Sequence, residues 1–388
     1  MIARPALLLA TALPVFLQVA TAQNQANVVS PEILPDHRVT FRIAAPKATE
    51  VAFTGDWITA TPEKMTKDER GVWSVTLGPL PPASYIYSYT YTVDGVAIPD
   101  PVNPRIKLRA RGSGSLFEVP GETPEMWQPR DVPHGKVEIN WQRSTVLNGE
   151  TRSFWVYTPP GYEKDLDRKY PVLYLLHGSN DTAAGWTTAG TVNFIFDNMI
   201  AEKKATPMIV VMPFGHAIPF GGGRGPSPGG AAPQSNTLLF EQYLLSNLMP
   251  TVASQYRTLA LPESRAIAGM SMGGEQSLVI GFGHPELFRS IGALSPAMPH
   301  ELADRWAAAL ADSKGTNAKM KALWIACGRQ DPGHLTASRR LDSTLQEHGV
   351  THTYWETEGA HNYALWQRQM VEFLPLLFRP VTSTTARK

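Results

Sequence analysis

The sequence predicts an α/β protein in which a small antiparallel β-sandwich precedes a mostly parallel sheet covered by helices. Between residues 38 and 120, short alternating segments are separated by turn residues, which is typical of a sandwich. From residue 136 onward, apolar strand-like runs alternate with helical segments, which indicates a parallel sheet. A proline-rich stretch without periodicity lies between the two parts and is typical of a linker. We expect a β-sandwich over 23–120, a linker over 121–135 and an α/β domain over 136–380.

Four alternating segments define the predicted sandwich. They cover residues 39–43, 50–54, 72–77 and 85–93. In the last segment, Tyr85, Tyr87, Tyr89 and Tyr91 fall on one face of the strand. Such a row of rings can stack on sugars or pack against a second sheet, and packing is the simpler interpretation.

The α/β domain is predicted from a series of alternating elements. Two solid apolar runs, at 170–176 and 208–212, indicate strands that are buried on both faces. Further strands are expected at 137–139, 152–157, 265–268, 290–294, 322–326 and 351–355. Helical spacing predicts helices at 191–202, 238–256, 273–282 and 363–378.

The charge balance and composition exclude several classes of protein. The 388 residues hold 35 basic and 34 acidic side chains, so the formal net charge is +1. A nucleic-acid-binding protein normally carries a basic excess, so that class is not expected. Apolar residues make up 43% of the chain, which excludes an intrinsically disordered protein. Neither an H-E-x-x-H motif nor a Walker sequence occurs, and the sequence implies no cofactor and no metal.

Cys327 is the only cysteine, so no disulfide can close within the chain. It ends an apolar run at 322–326, which predicts a buried strand residue rather than a nucleophile. The stability of the fold must therefore come from core burial.

The first 22 residues are typical of a signal peptide. Arg4 supplies the positive start, and an apolar run from 6 to 20 leads to the small residues Ala20 and Ala22 at a cleavage site. The run is shorter than the roughly 20 residues that a membrane span needs. We expect a secreted or periplasmic protein with no membrane span after cleavage.

The sharpest motif is Gly269-Met270-Ser271-Met272-Gly273, which fits G-x-S-x-G. A short apolar strand precedes it and a helical segment follows it, which is the context that a nucleophile elbow requires. A tight strand-to-helix turn projects the serine hydroxyl, and the glycines leave room for the crowded backbone. Ser271 is therefore the predicted nucleophile.

A serine nucleophile needs a base that is held by an acid, and on this type of fold both follow the serine in the order acid, then histidine. Asp331 lies just past the strand that ends at Cys327, and His361 lies past the strand at 351–355. Both therefore fall where parallel strands deliver loops to one edge of the sheet. The competing acid Asp342 falls in the middle of a helix, and His334 and His348 are weaker choices for the base.

The oxyanion of an acyl-transfer intermediate needs two backbone N–H donors. Met272, the residue after the nucleophile, is the first expected donor. The second is expected from the loop after the strand at 170–176, where Ser179 is the candidate and Gly178 the alternative. His177 precedes the serine in the chain, so a structural role is expected for it.

The region from 136 to 380 resembles carbohydrate esterase family 1, the feruloyl and acetylxylan esterase group with an esterase D-like α/β-hydrolase fold. The resemblance rests on the ordered motifs YPVLYLLHG at 170–178, NMIAE at 198–202, IVVMP at 209–213, GMSMGGEQ at 269–276, HPELF at 284–288, CGRQD at 327–331, His361, and PLLF at 375–378. It implies the nucleophile Ser271, the acid Asp331 and the base His361. The family often has tryptophan where Tyr363 stands and arginine where Gln367 stands.

The first part of the chain resembles the early-set immunoglobulin-like modules that accompany glycogen-processing enzymes. FTGDW at 53–57, GVW at 71–73 and Asp94-Gly95 carry the likeness. Because such modules occur beside carbohydrate enzymes, a glycan contact by the sandwich is part of the hypothesis.

The resemblances imply a secreted serine carboxylesterase that hydrolyses feruloyl or acetyl esters of plant cell-wall polysaccharide, as in xylan degradation, through an acyl-enzyme. Its expected substrate is an ester of a carbohydrate or of a hydroxycinnamic acid. The alternatives are an acyltransferase or a siderophore-ester hydrolase on the same fold, and a non-catalytic glycan-binding protein. Product analysis with a sugar acceptor separates hydrolysis from acyl transfer. Glycan binding without esterase activity would indicate the last alternative.

Overall fold

The computed structural model describes residues 28–58, 61–81, 86–218, 235–297 and 302–379. The predicted signal segment 1–22 and Tyr85 lie outside the described residues. Among the helices of the described part, none is long and apolar enough to cross a membrane.

The N-terminal part forms two antiparallel sheets. Its strands are β1 (Glu32–Ile33), β2 (Val39–Ala44), β3 (Val51–Gly55), β4 (Glu63–Lys64), β5 (Thr66–Lys67), β6 (Val72–Leu77), β7 (Tyr87–Val93), β8 (Val96–Ile98), β9 (Ile106–Leu108) and β10 (Ser113–Phe117). One sheet has the order β1-β2-β6-β5, and the other has the order β4-β3-β7-β10-β9 with β8 beside β7. We refer to this pair of sheets as the sandwich.

The core of the sandwich explains the row of tyrosines. Tyr87, Tyr89 and Tyr91 are at most 1% exposed, and the Tyr89 ring lies 4.8 Å from the ring of Phe41 on the other sheet. The packing interpretation is therefore confirmed for these three residues, and a sugar-stacking role for them was the wrong alternative. These three rings therefore offer no surface on which a glycan could stack.

An eight-stranded sheet forms the centre of the second part. Its strands are β11 (Lys136–Arg143), β12 (Thr151–Thr158), β13 (Val172–Leu176), β14 (Ile209–Pro213), β15 (Arg265–Met270), β16 (Ser290–Leu294), β17 (Ala322–Gly328) and β18 (Thr353–Thr357). The order is β11-β12-β14-β13-β15-β16-β17-β18. The first two strands pair antiparallel, and the six from β13 to β18 run parallel. The predicted α/β fold is confirmed.

Helices cover both faces of this sheet. They are α1 (Gly185–Thr188), α2 (Val192–Ala201), α3 (Asn236–Tyr243), α4 (Met249–Gln255), α5 (Met272–Gly283), α6 (Leu302–Ala311), α7 (Ser313–Lys319), α8 (Pro332–Glu347) and α9 (Tyr363–Phe373). Along β13, Tyr174 packs in one apolar cluster while Leu173 and Leu175 pack in another. Because successive side chains of a strand point to opposite faces, the two clusters are the two cores between sheet and helices.

Two predicted helices differ in detail from the observed ones. The helix expected at 238–256 is interrupted by a π-helical turn at Leu244–Leu248, which leads into Pro250 near the start of α4. Proline lacks the N–H that a continuous α-helix would need there, so the wider turn accommodates it. The closing helix ends at Phe373 and continues as a 3-10 turn, Leu374–Leu376, that contains Pro375.

The segment at 121–135 packs against α2 instead of running free. Trp127 is 8% exposed. The Asn198 side-chain amide donates to the carbonyls of Met126 and Gln128 at 2.8 and 2.9 Å. His134 Nδ1 lies 2.8 Å from Asp197 Oδ2. These contacts fix the chain that connects the sandwich to the α/β part.

Candidate active site

The nucleophile elbow forms where β15 turns into α5. Ser271 has φ 78° and ψ −112°, and non-glycine residues rarely adopt such a positive φ. A Cβ on Gly269 would lie 2.5 Å from the Gly273 backbone, and a Cβ on Gly273 would lie 2.5 Å from the Leu176 carbonyl oxygen. Both glycines are therefore required by close approach of the backbone. The Ser271 N–H donates to the Leu294 carbonyl at 2.9 Å, which anchors the turn.

The structure brings the three predicted catalytic residues together. His361 Nε2 lies 3.0 Å from Ser271 Oγ, and His361 Nδ1 lies 2.6 Å from Asp331 Oδ2. Asp331 follows β17 and His361 follows β18, so both side chains reach the site from loops at the carboxyl edge of the sheet. This is the geometry that the order of the motifs predicts.

Electrostatics favour an ionised Asp331. The side chain is 4% exposed, and burial alone would raise its pKa. The hydrogen bonds from His334 and His361 outweigh burial and hold the pKa of the carboxyl well below its usual range. An ionised carboxylate assigns the proton of the neutral imidazole to His361 Nδ1, which leaves the Nε2 lone pair to accept the Ser271 hydroxyl.

His334 is a second histidine on the same aspartate. Its Nδ1 lies 2.9 Å from Asp331 Oδ1, the oxygen that His361 does not use. Its ring stacks on that of His361, with centroids 4.1 Å apart and planes 11° from parallel. The sequence raised His334 only as a weaker base, whereas the geometry makes it a support for the acid and for the orientation of the base.

Two substitutions separate the hydrogen bond of His334 from its stacking. His334→Phe keeps a flat ring but removes the donor, and we expect kcat to fall about tenfold because Asp331 loses a charge-assisted hydrogen bond. His334→Asn can place an amide N–H near the former Nδ1 and is expected to retain most of the activity. Steady-state kinetics of both variants, with unfolding temperatures as a check on the fold, measure the difference. Equal losses in both would assign the effect to stacking instead.

Asp331, His334 and His361 also form a cluster of possible metal ligands, with one ligand atom from each within 4.8 Å of the others. Both Nδ1 atoms face the carboxylate of Asp331. The two rings are nearly parallel, so the lone pairs of their outer nitrogens do not converge on one point. The arrangement fits a hydrogen-bonded acid and base better than chelation of a cation.

The predicted oxyanion loop passes beside the nucleophile. A Cβ on Gly178 would lie 3.4 Å from the Ser271 Cβ, and Gly178 and Ser179 line the same cavity as Ser271. Buried His177 accepts the Gly215 N–H at Nε2 (2.9 Å), so its Nδ1 donates to the Gly178 carbonyl at 2.8 Å. In a trans peptide the carbonyl and the next N–H are antiparallel, so the Ser179 N–H points away from His177. Met272 begins α5, where backbone N–H groups have no partner within the helix.

The other residues that the sequence raised are held in contacts of their own, and none of them contacts Ser271 Oγ among the hydrogen bonds of the described residues. Asp342 lies on α8 and accepts a hydrogen bond from His352 Nε2 at 2.8 Å. Cys327 is fully buried on β17, and burial raises the pKa of its thiol. His177 uses both ring nitrogens in backbone contacts. Gln367 is buried, and its amide donates to Thr191 Oγ1 at 3.0 Å.

A cavity of about 250 Å³ opens onto Ser271 and His361. Trp366 of α9 forms part of its wall. Another part of the wall comes from the sandwich, which contributes Asp56, Lys107 and Arg109. No sequence motif marks these three residues, so they are not among the predicted site residues. Burial raises the pKa of Asp56 to about 6.

The strand order and a serine placed at the turn from β15 into α5 define an α/β-hydrolase. The family model described as "Putative esterase" matches residues 144–377, and the chain belongs to that family. The chain is 30% identical over 372 residues to an "Endo-1,4-beta-xylanase/feruloyl esterase" of Xylanibacter ruminicola. That match covers 93% of this chain and 47% of the relative, so the chain spans about half the length of that protein. The resemblance expected from the motifs is confirmed.

Two solved structures show the same fold. A CE1 ferulic acid esterase from Anaeromyces mucronatus, in complex with ferulic acid, is 24% identical with a TM-score of 0.54, over 66% of this chain and 96% of that chain. An enterobactin esterase from Shigella flexneri is 17% identical with a TM-score of 0.62, over 87% of this chain and 92% of that chain. At these identities the likeness establishes the fold alone.

Proposed function

We propose that this protein is a serine carboxylesterase that hydrolyses feruloyl or acetyl esters of plant cell-wall polysaccharide through an acyl-enzyme. The observation that carries the proposal is the hydrogen-bonded chain from Ser271 Oγ through His361 to Asp331 at the edge of the parallel sheet. Membership of the esterase family supports the reaction class. The feruloyl esterase named for the Xylanibacter ruminicola relative supports the substrate class.

The proposed reaction uses each group of the site in turn. His361 Nε2 takes the proton of Ser271 Oγ as the oxygen attacks the ester carbonyl carbon. The Met272 and Ser179 N–H groups hold the oxyanion of the tetrahedral intermediate. The carbon–oxygen bond to the alcohol then breaks, and His361 returns the proton to the leaving oxygen. Asp331 stabilises the imidazolium throughout. In the second half of the reaction, His361 takes a proton from water as the water oxygen attacks the acyl carbon. The bond to Ser271 Oγ then breaks, His361 returns the proton to Ser271 Oγ, and the acid is released.

Hydrolysis of simple esters tests the reaction and the acyl group together. We expect methyl ferulate to be cleaved with a kcat/KM comparable to that for p-nitrophenyl acetate, with one ferulate released per methanol. If only the acetyl ester were cleaved, the proposed esterase activity would stand, and the preferred acyl group would be acetyl and not feruloyl. Transfer of the acyl group to an added pentose in preference to water would contradict hydrolysis as the reaction. If neither ester were turned over, the proposed esterase activity would be wrong.

We also propose that the protein is exported, because residues 1–22 combine a positive start, an apolar run and a small-residue cleavage site. Expression of the full chain in a bacterial host should yield a mature protein that begins near Gln23. Amino-terminal sequencing of the secreted or periplasmic fraction measures this. Retention of Met1 in a cytoplasmic fraction would contradict export.

A further inference from the structure

The sandwich is joined to the loop that carries the proposed oxyanion donor. Just past β9, Arg109 forms a β-bridge with Asp181, and the Ala110 N–H donates to the Asn180 carbonyl at 3.2 Å. The Thr182 hydroxyl donates to the Leu108 carbonyl at 3.3 Å. These contacts place the end of β9 beside the loop that follows β13. The sandwich therefore forms part of the site and is not a separate appendage.

Two cationic side chains reach the cavity from this junction. Lys107 Nζ lies 3.8 Å from Asp181 Oδ2 and 4.7 Å from the centre of the Tyr363 ring, and its side chain is 13% exposed. Arg109 Nη2 donates to Ser88 Oγ at 3.0 Å. Its buried Nε has no hydrogen-bond partner among the residues that the structure describes. Lys107 and Arg109 are therefore the cationic donors that this wall of the cavity offers to a ligand.

The charges around the cavity indicate which net charge and polarity a ligand should have. Asp56, Lys107, Arg109 and Asp181 all line it, so two positive and two negative formal charges oppose one another. A ligand with a net charge would meet a like charge as well as an opposite one, whereas a hydroxyl both donates and accepts. Among the lining residues, only Met270 and Trp366 have apolar side chains. This wall is suited to a neutral, polyhydroxylated group with one apolar face.

The size of the cavity limits how much of a glycan it holds. At about 250 Å³ it falls below the ~300–1,000 Å³ of drug-sized ligand pockets. One sugar ring is of that order, while a longer chain must extend into solvent. A feruloyl ring, by contrast, is flat and largely apolar and would form few hydrogen bonds with these charged groups.

We propose that Asp56, Lys107 and Arg109 form a subsite for the neutral sugar ring that carries the ester, so that the sandwich selects the alcohol part of the substrate. The proposal rests on the proposed esterase function. The carboxylate of Asp56 accepts from sugar hydroxyls, and the ammonium and guanidinium groups donate to them. The apolar face of the sugar packs on Trp366.

The test compares two esters that share an acyl group and differ in the alcohol: 5-O-feruloyl-arabinofuranose and methyl ferulate. We expect the wild-type protein to prefer the sugar ester. Arg109→Gln, Lys107→Met and Asp56→Asn should each lower the ratio of kcat/KM for the sugar ester to that for methyl ferulate by about tenfold, chiefly through KM. Arg105→Gln is the matched control, because Arg105 pairs with Glu118 at 3.0 Å and does not line the cavity.

Binding provides a second measurement that does not depend on turnover. In the Ser271→Ala background, the dissociation constant of the feruloyl sugar should rise about tenfold with each of Arg109→Gln, Lys107→Met and Asp56→Asn, while that of methyl ferulate changes less. An unchanged ratio and unchanged dissociation constants in all three variants would overturn the subsite. Equal losses on both esters would also overturn it and assign the residues to the oxyanion loop. If the wild type hydrolyses neither ester, the proposed function fails, and the binding measurement still decides the subsite.

Discussion

Ser271→Ala is expected to lower kcat for methyl ferulate by about 10⁶-fold while the substrate still binds. The hydroxyl lies 3.0 Å from His361 Nε2, and no other nucleophile is placed to receive the acyl group at the elbow within the described residues. Without it, His361 has no proton to take from the protein, and only the oxyanion donors and substrate binding remain. Burst-phase and steady-state kinetics measure the loss.

The matched control for Ser271 is Ser277→Ala on the same helix. The Ser277 hydroxyl donates to the Gly273 carbonyl at 2.7 Å and is buried, so its removal perturbs the helix without touching the nucleophile. We expect kcat to stay near the wild-type value and the unfolding temperature to fall slightly. If Ser271→Ala retained more than a tenth of the wild-type kcat, the assignment of the nucleophile would be wrong.

Asp331→Asn is expected to lower kcat by about 10⁴-fold. The carboxylate offers one oxygen to His361 and the other to His334, whereas an amide offers one acceptor and one donor. In either orientation of the amide, its NH2 group faces the Nδ1 atom of one of the two histidines, where the carboxylate presents an oxygen. The buried negative charge that stabilises the imidazolium is also lost. An amide that faces His361 with its NH2 group favours the tautomer with the proton on Nε2, which cannot accept the serine proton.

Asp342→Asn is the control for this second prediction, because the sequence raised Asp342 as the competing acid. Its carboxylate holds His352 at 2.8 Å, away from the nucleophile. We expect Asp342→Asn to retain the wild-type kcat and to lose a modest part of the stability. A larger loss of kcat in Asp342→Asn than in Asp331→Asn would reverse the assignment of the acid.

The elbow and the meeting of Ser271, Asp331 and His361 could be predicted because they depend on local rules. Glycines at 269 and 273 mark a turn that no larger residue fits, and parallel strands bring the loops after them to one edge. Asp331 and His361 lie 30 residues apart, yet each follows its own strand. The positions of the strands were therefore enough to bring them together.

The wall from the sandwich could not be predicted in this way. Strand β9 has three residues, Ile106–Leu108, too few to show an alternating pattern. Its neighbour across the junction is the loop around Asp181, more than 70 residues further along the chain. Which side chains face the cavity depends on how the two parts pack, and no local sequence rule contains that information.

The contacts of His334 were also only partly predictable from the sequence. It stands three residues after Asp331 in the first turn of α8, a spacing that brings neighbouring side chains of a helix together. That spacing predicts a contact with Asp331 or with its hydrogen-bond partner. The stacking on His361 also requires the loop after β18 to pass over the start of α8, which only the folded sheet provides.

The packed connection at 121–135 and the junction at β9 have a consequence for recombination between related genes. A crossover that exchanged the sandwich for that of another esterase would also exchange three side chains of the cavity wall, Asp56, Lys107 and Arg109. It would also have to preserve the contacts that hold Trp127 at the start of α2. Hybrids built at the apparent domain boundary would thus inherit the proposed nucleophile from one parent and part of the cavity wall from the other.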